Sequence, residues 1–159
     1  MPGITPSPNV MPIYNLTAEI DTTPTGESAT YVPFGAGFNN FTEALNEVIL
    51  QYFFLNDGGF ARNYTSGMAP VITLTGVRVI GDPAQEYIFG NKFKLMANRE
   101  TQIQLTREDA GGTTTTVVTC NVNIQNIQEY GGATTDGAAV SIELAFNGTP
   151  QVTQGSVGA

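Results

Sequence analysis

Cys120 is the first residue to consider for chemistry, because the 159-residue chain has one cysteine and no histidine. It alternates in phase with Val118, Val122 and Ile124, and this pattern predicts an inert thiol buried in a strand rather than a nucleophile. The lack of histidine excludes histidine-based catalytic triads and histidine metal ligands.

Carboxylates are the next candidates, as an acid and base pair or as cation ligands. The acids are scattered along the chain, and the adjacent pair Glu108 and Asp109 falls in a predicted turn, which does not suit a glycosidase. Residues 56–59, Asn-Asp-Gly-Gly, lack the repeated oxygen ligands of a calcium loop. No glycine-rich phosphate-binding loop is present, and the Gly-Ala-Gly at residues 35–37 resembles one only weakly. We therefore expect no catalytic residue, cofactor or metal site, and no enzyme.

The charge and length of the chain further restrict the classes of protein to which it could belong. Six basic and fourteen acidic residues give a net charge of −8, which disfavours a protein that grips nucleic acid through its phosphates. No apolar run approaches the ~20 residues that span a membrane, and the start does not resemble a signal peptide, so synthesis in the cytoplasm is expected. The length suits one domain.

Most of the chain has the pattern of a β protein. Alternation and turn residues predict eight strands and thus a mainly β, sandwich-like or barrel-like fold with one short flanking helix. We expect an extended N-terminal arm at residues 1–12, a single domain at 13–147 and a flexible tail at 148–159, with a turn at 109–112. The predicted strands are 14–20, 29–34, 46–55, 71–80 with a bulge at Gly76, 92–97 joined as a hairpin to 102–106, 115–127 and 140–146.

Two central stretches are harder to assign. Residues 38–55 fit both helical and strand spacing, although the β-branched and aromatic run from Val48 favours a strand from about Asn46. Residues 56–68 are polar and punctuated by glycine, which predicts a long exposed loop.

The predicted helix spans about 82–90. Asp82 is a suitable N-cap, Pro83 suits the first helical position, and Gln85 lies three residues beyond the cap. Gly90 could end the helix in a left-handed conformation. One side of the helix would cover an open face or edge of the sheet with Ala84, Tyr87 and Ile88.

The central block of the sequence, NEVILQYFFLNDGGFARNYTSGMAPVITLTGVRVIGDPAQEYIFG at residues 46–90, resembles the major tail tube proteins of long non-contractile-tailed bacteriophages. Its most specific segment is Gly-Asp-Pro-Ala-Gln-Glu-Tyr at 81–87. The resemblance covers about residues 38–146.

This resemblance implies a structural virion protein in the phage tail, made and assembled in the bacterial cytoplasm. Copies would form hexameric rings stacked into a tube, with other tail proteins at its ends and DNA passing through without specific binding. No cofactor or membrane would be involved. We assign three groups of residues as hypotheses: an inter-ring loop, a subunit-boundary helix and candidate acids of the inner channel. The inter-ring loop comprises Asn56, Asp57, Gly58, Gly59, Phe60, Arg62, Tyr64 and Met68. The subunit-boundary helix comprises Asp82, Pro83, Gln85, Tyr87 and Ile88. The candidate channel acids are Glu43, Glu47 and Glu143.

Two alternatives stay open at this point. One is another virion component on a related sandwich, such as a head-decoration or tail-terminator protein. The other is a surface β-sandwich that binds carbohydrate or a receptor, which the absence of tryptophan disfavours.

Overall fold

The computed structural model describes residues 10–108 and 114–156. Nearly all of the predicted arm at 1–12, the predicted turn at 109–112 and the end of the tail lie outside the described residues. Alternating apolar and polar residues form ten strands in the described part. They are β1 (Thr17–Asp21), β2 (Tyr31–Pro33), β3 (Phe38–Ala44), β4 (Glu47–Phe53), β5 (Ala61–Met68), β6 (Val71–Val77), β7 (Glu100–Glu108), β8 (Thr114–Gln128), β9 (Ala139–Phe146) and β10 (Gln151–Ser156).

Eight strands form one large antiparallel sheet in the order β2-β1-β7-β8-β9-β6-β3, with β10 also paired to β8. One face of this sheet carries the apolar phase of every strand except β10 and encloses a single core. The helix α1 (Pro83–Gly90) adds Ala84, Ile88 and Phe89 to that core. The predicted mainly β, sandwich-like fold with one flanking helix is confirmed. The sheet contributes to the core Ile20, Ile72, Leu74, Ile103, Leu105, Val122, Ile124, Val140, Ile142 and Leu144.

The opposite face of the sheet is polar and mostly uncharged. Its side chains alternate with the buried ones, and neighbouring strands place them side by side. Gln102 pairs with Asn121, for example, and Glu143 lies between Gln125 and Thr73. We call this surface the polar face; it is formed by Thr73, Thr75, Gln102, Gln104, Thr119, Asn121, Asn123, Gln125, Ser141 and Glu143, together with the carboxylates Glu19 and Glu100.

The long strand β8 confirms the strand predicted at 115–127, and it organises the end of the chain. One edge of β8 pairs with β7, while the other edge pairs with β9 near its C-terminal end and with β10 near its N-terminal end. The two short strands therefore lie end to end along β8. Residues 151–156, which lie within the predicted flexible tail, form β10, and the strand that orders this segment is remote in sequence.

Helix α1 begins where predicted. The carboxylate of Asp82 accepts a hydrogen bond from the backbone N–H of Gln85 at 3.1 Å, and Pro83 occupies the first turn. The predicted left-handed glycine stop is wrong: Gly90 is the last helical residue, and the capping residue Asn91 has φ −102°. Asn91 instead closes the helix by donating its side-chain amide to the carbonyl of Tyr87. The helix packs beside β2, the end strand of the sheet.

The strand and hairpin predicted at 92–106 form only in part. Strand β7 is present, but residues 92–97 are not a strand, and a 3-10 helix, Met96–Arg99, precedes β7. The guanidinium of Arg99 donates to the carbonyls of Lys92, Lys94 and Ile124, so this segment is held by one side chain rather than by a neighbouring strand.

Smaller differences appear at the first strands and at Gly76. Strand β1 starts at Thr17, because residues 13–15 form a 3-10 helix. The short β2 contains Pro33 and lies at the sheet edge, where a residue without a backbone N–H is tolerated. The irregularity expected in β6 at Gly76 falls on its partner β3, between Phe38 and Asn40.

Candidate assembly surfaces

The ambiguous stretch at 38–55 forms two strands, and the predicted loop at 56–68 is wrong because most of it is β5. Strands β4 and β5 pair in a separate two-stranded sheet that continues the β3–β6 pair. The transition lies at Asn46, which has φ 49° and whose side-chain amide donates to the carbonyl of Ala69. We call residues 47–68 the ribbon.

The ribbon is exposed along nearly its whole length, although it is rich in large apolar side chains. A hairpin of two strands with no third layer is at best marginally stable alone in water. Contiguous exposed apolar surface of this kind marks an interaction site. The ribbon therefore provides an apolar surface that calls for a covering partner. Its exposed apolar residues are Val48, Ile49, Leu50, Tyr52, Phe53, Phe54, Leu55, Phe60, Tyr64 and Met68.

The tip of the ribbon is ordered by its own contacts. A short 3-10 turn, Leu55–Asp57, leads to Gly58 with φ 60° and Gly59 with φ 90°, a left-handed pair that suits glycine. The carboxylate of Asp57 accepts two hydrogen bonds from the Arg62 guanidinium, at 2.7 and 3.0 Å. Leu55 is fully exposed and Phe60 is 78 % exposed, so the tip presents apolar side chains on a defined backbone.

The residues assigned to the inter-ring loop all lie in this ribbon. Asn56, Asp57, Gly58 and Gly59 form its turn, and Phe60 follows directly. The other three are on β5: Arg62, Tyr64 and Met68.

Helix α1 is fixed to the sheet by a buried amide. The side chain of Gln85 is fully buried and accepts a hydrogen bond from the backbone N–H of Val79 at 2.8 Å. Its amide nitrogen donates to the carbonyls of Val77 at 3.0 Å and Ala36 at 3.2 Å. One side chain thus connects the helix, the end of β6 and the entry to β3.

A cluster of four charges adjoins this amide through Arg78, whose guanidinium donates to the side-chain oxygen of Gln85 at 3.3 Å. The guanidinium of Arg78 contacts Glu86 at 3.0 Å and Glu129 at 2.9 Å, and the ammonium group of Lys92 contacts Glu129 at 2.6 Å. The hydrogen bond from Lys92, supported by Arg78, lowers the pKa of Glu129. The pKa of Glu86 is lowered chiefly by a hydrogen bond from the backbone N–H of Gly81.

The five residues assigned to the subunit-boundary helix are not equally available. Gln85 and Ile88 are fully buried within the chain. Asp82 and Tyr87 are partly exposed, and Pro83 is exposed. Only these last three have surface to offer a neighbour.

The three candidate channel acids do not share one surface. Glu143 lies on the polar face, where its carboxylate accepts from the side-chain amides of Asn126 at 2.7 Å and Gln125 at 3.4 Å. Glu43 pairs with Ile72, so it projects from the opposite face of the sheet. Glu47 is at the base of the ribbon.

The two ends of the sheet are open. Within the described residues, β2 pairs only with β1, and β3 pairs only with β6. An apolar cavity of about 330 Å³ lies between β1 and β3, and its walls include the edge-to-face pair Phe34 and Phe38. Unpaired strand edges beside apolar surface favour the addition of further chain.

Within the described part of the chain, few side chains are placed to do chemistry. Cys120 is buried as predicted, and burial raises the pKa of its thiol. Across residues 10–108 and 114–156, no group of three or more cysteine, aspartate and glutamate side chains could hold a metal ion. None of the helices described is long and apolar enough to cross a membrane.

The fold of this chain is similar to that of known proteins. Neither protein-family models nor curated protein sequences give a match. Solved structures do: a chain in the tail of an empty gene transfer agent particle, determined with C6 symmetry, superposes with a TM-score of 0.70 at 19 % identity, covering 91 % of this chain and 99 % of that one. A chain in the virion of a native gene transfer agent particle gives 0.69 at 18 % identity, with the same coverage. The chain therefore shares the fold of proteins in virion-like particles.

Proposed function

We propose that this chain is a structural tail protein whose copies close into hexameric rings, and that the rings stack into a tail tube. The observation that carries the proposal is the fold likeness over nearly the full length to a chain in a tail with C6 symmetry. The exposed ribbon supports it, since its apolar side chains need a partner. Catalysis has no part in this role.

The open strand edges suggest how a ring closes. Copies would join sheet to sheet through the ends at β2 and β3, so that unpaired backbone groups gain hydrogen bonds. The two ends differ, so the contact is heterologous, and a rotation that closes gives a ring. The half-exposed part of helix α1, beside β2, would lie at this boundary.

The polar face is the surface best suited to line the inner channel. Its amides and hydroxyls are uncharged and offer no cationic grip on DNA phosphates. Of the three candidate channel acids, Glu143 lies on this face, and Glu43 on the opposite one. The net charge of −8 gives six copies a total of −48, so the ring as a whole repels DNA. DNA would therefore pass without specific binding.

Contacts between stacked rings are assigned to the ribbon tip and the two termini. The tip at residues 55–60 projects its apolar side chains away from the core. Other tail proteins would bind the two ends of the tube, where these surfaces have no ring to meet. The protein would be made and assembled in the bacterial cytoplasm and reside in the virion tail.

Electron microscopy of the purified full chain tests the proposal. We expect stacked rings or hollow tubes with six-fold end views. Leu55→Glu together with Phe60→Glu should prevent stacking, because two buried carboxylates would be left unpaired. Leu55→Met is the matched control, since it keeps an apolar side chain and should still form tubes. A dispersed monomer at every concentration would contradict the proposal.

A further inference from the structure

A second exposed apolar surface follows helix α1. We call residues 92–96 the post-helix loop. Phe93 is 89 % exposed, Leu95 75 % and Met96 85 %. The alternation of residues 92–97 predicts a strand with one buried phase and therefore does not reveal this surface. Three large apolar side chains pointing into water within four residues are costly unless something covers them.

The post-helix loop is held firmly in place. Arg99 binds the carbonyls of Lys92, Lys94 and Ile124. Lys92 is anchored to Glu129. Its ammonium group also lies 5.0 Å from the ring centre of Phe93. A surface ordered in advance loses less entropy on binding.

The backbone conformation of Met96 also indicates that the surroundings hold the post-helix loop in place. Met96 has φ 56°, a left-handed conformation that is unfavourable for a residue with a side chain and is retained where the surroundings impose it. Here it turns the chain so that Leu95 and Met96 are both presented to solvent.

Charge distinguishes this loop from the rest of the molecule. Three of the six basic residues of an otherwise acidic chain lie within residues 92–99. Lys94 is exposed, and its ammonium group has no partner among the described residues. The base of the ribbon offers the complement, because Glu47 is exposed and likewise has no side-chain partner in the described part of the chain.

We infer that the post-helix loop is the docking surface for the ribbon of a second copy of this chain. Phe93, Leu95 and Met96 would pack on the apolar side chains of the ribbon, and Lys94 would pair with Glu47 of the second copy. Both surfaces are exposed in the single chain, so neither covers the other within one copy. They belong to different elements, and a contact between unlike surfaces propagates from copy to copy into a ring or filament.

This inference rests on the proposed self-assembly and names the surface it uses. Charge reversal tests it on the full chain. Lys94→Glu or Glu47→Lys places like charges together and should raise the critical concentration for assembly about ten-fold or more. The double variant restores opposite charges and should assemble within about three-fold of the wild type. Glu27→Lys, on an exposed turn, is the control for Glu47→Lys, because both replace an exposed carboxylate with an ammonium group.

A covalent test identifies the pair directly. In a Cys120→Ser background, Lys94→Cys combined with Glu47→Cys should, after oxidation of the thiols by dissolved oxygen, give a ladder of disulfide-linked oligomers on a non-reducing gel. Lys94→Cys combined with Glu27→Cys should give none. Circular dichroism confirms that the variants are folded.

The outcomes separate the two proposals. If the wild-type chain fails to assemble, the proposed function is wrong. If it assembles but both single charge reversals assemble equally well, or the double variant fails to recover, the assignment of the post-helix loop is overturned while the proposed function stands. Absence of the disulfide ladder in assembled protein has the same meaning.

Discussion

Replacing Gln85 with leucine tests the packing of helix α1 against the sheet. Leucine is close to glutamine in volume, so the change removes the amide without opening a large cavity. The buried amide accepts from Val79 N–H and donates to the carbonyls of Val77 and Ala36. In Gln85→Leu these three backbone groups lose that partner in a site with no solvent access.

The magnitude follows from these contacts. A buried polar group left without a partner costs about 1–3 kcal/mol. Three such groups, with some relaxation, give an expected loss of about 3–5 kcal/mol in the free energy of unfolding, a large share of the roughly 5–15 kcal/mol that stabilises an ordinary domain. The corresponding fall in Tm is roughly 6–20 °C.

Urea denaturation followed by circular dichroism measures this loss, at protein concentrations below those at which copies associate. Gln154→Leu is the matched control: it makes the same change at an exposed position on β10 and should alter stability by less than about 0.5 kcal/mol. A loss below about 1 kcal/mol for Gln85→Leu would show that the amide is not the link between helix and sheet.

Three further predictions concern local features. Gly76→Ala should cost roughly 3 kcal/mol in urea denaturation, because the new Cβ would overlap the carbonyl oxygen of Gly37, and a near-normal midpoint would argue against this close approach. Asp82→Ala should cost about 1 kcal/mol and reduce helical circular dichroism, since the cap of α1 is lost; no change in either would count against the cap. Glu129 has a folded-state pKa below its ordinary value of 4.5, so its ionised form stabilises the fold above that pH, and this stabilisation is lost as the pH falls through the lowered pKa. The difference in Tm between wild type and Glu129→Gln should therefore shrink between about pH 5 and pH 3. A constant difference would contradict the Lys92 ion pair.

The sequence predicts those elements whose signals are local. The cap at Asp82 and the proline at 83 place the start of α1, because both act on the first turn of the helix itself. Strands β8 and β9 are also predicted well, since the alternation of their residues matches burial on one face. For the candidate assembly surfaces, the sequence predicts that residues 56–68 are exposed, but it does not predict that Ala61–Met68 form a strand.

The elements that were mispredicted depend on partners remote in sequence or on single side chains. Alternation at Phe93 and Leu95 indicates a strand only if these two side chains are buried. Both side chains are exposed. Arg99 takes the carbonyls that a neighbouring strand would have used, and no periodicity reveals this. Strand β10 forms because β8 extends beyond β9, a property of the whole sheet. Glu43 and Glu143 could be assigned to opposite faces only once the strand register was known.

Cryo-electron microscopy of the assembly formed by the purified chain would show directly whether copies build a tube. We expect rings of six copies stacked around a channel, with the polar face and Glu143 turned toward the channel and the ribbon of each copy covered by a neighbour. A particle in which the ribbon stays exposed to solvent, or in which the copies do not enclose a channel, would contradict it.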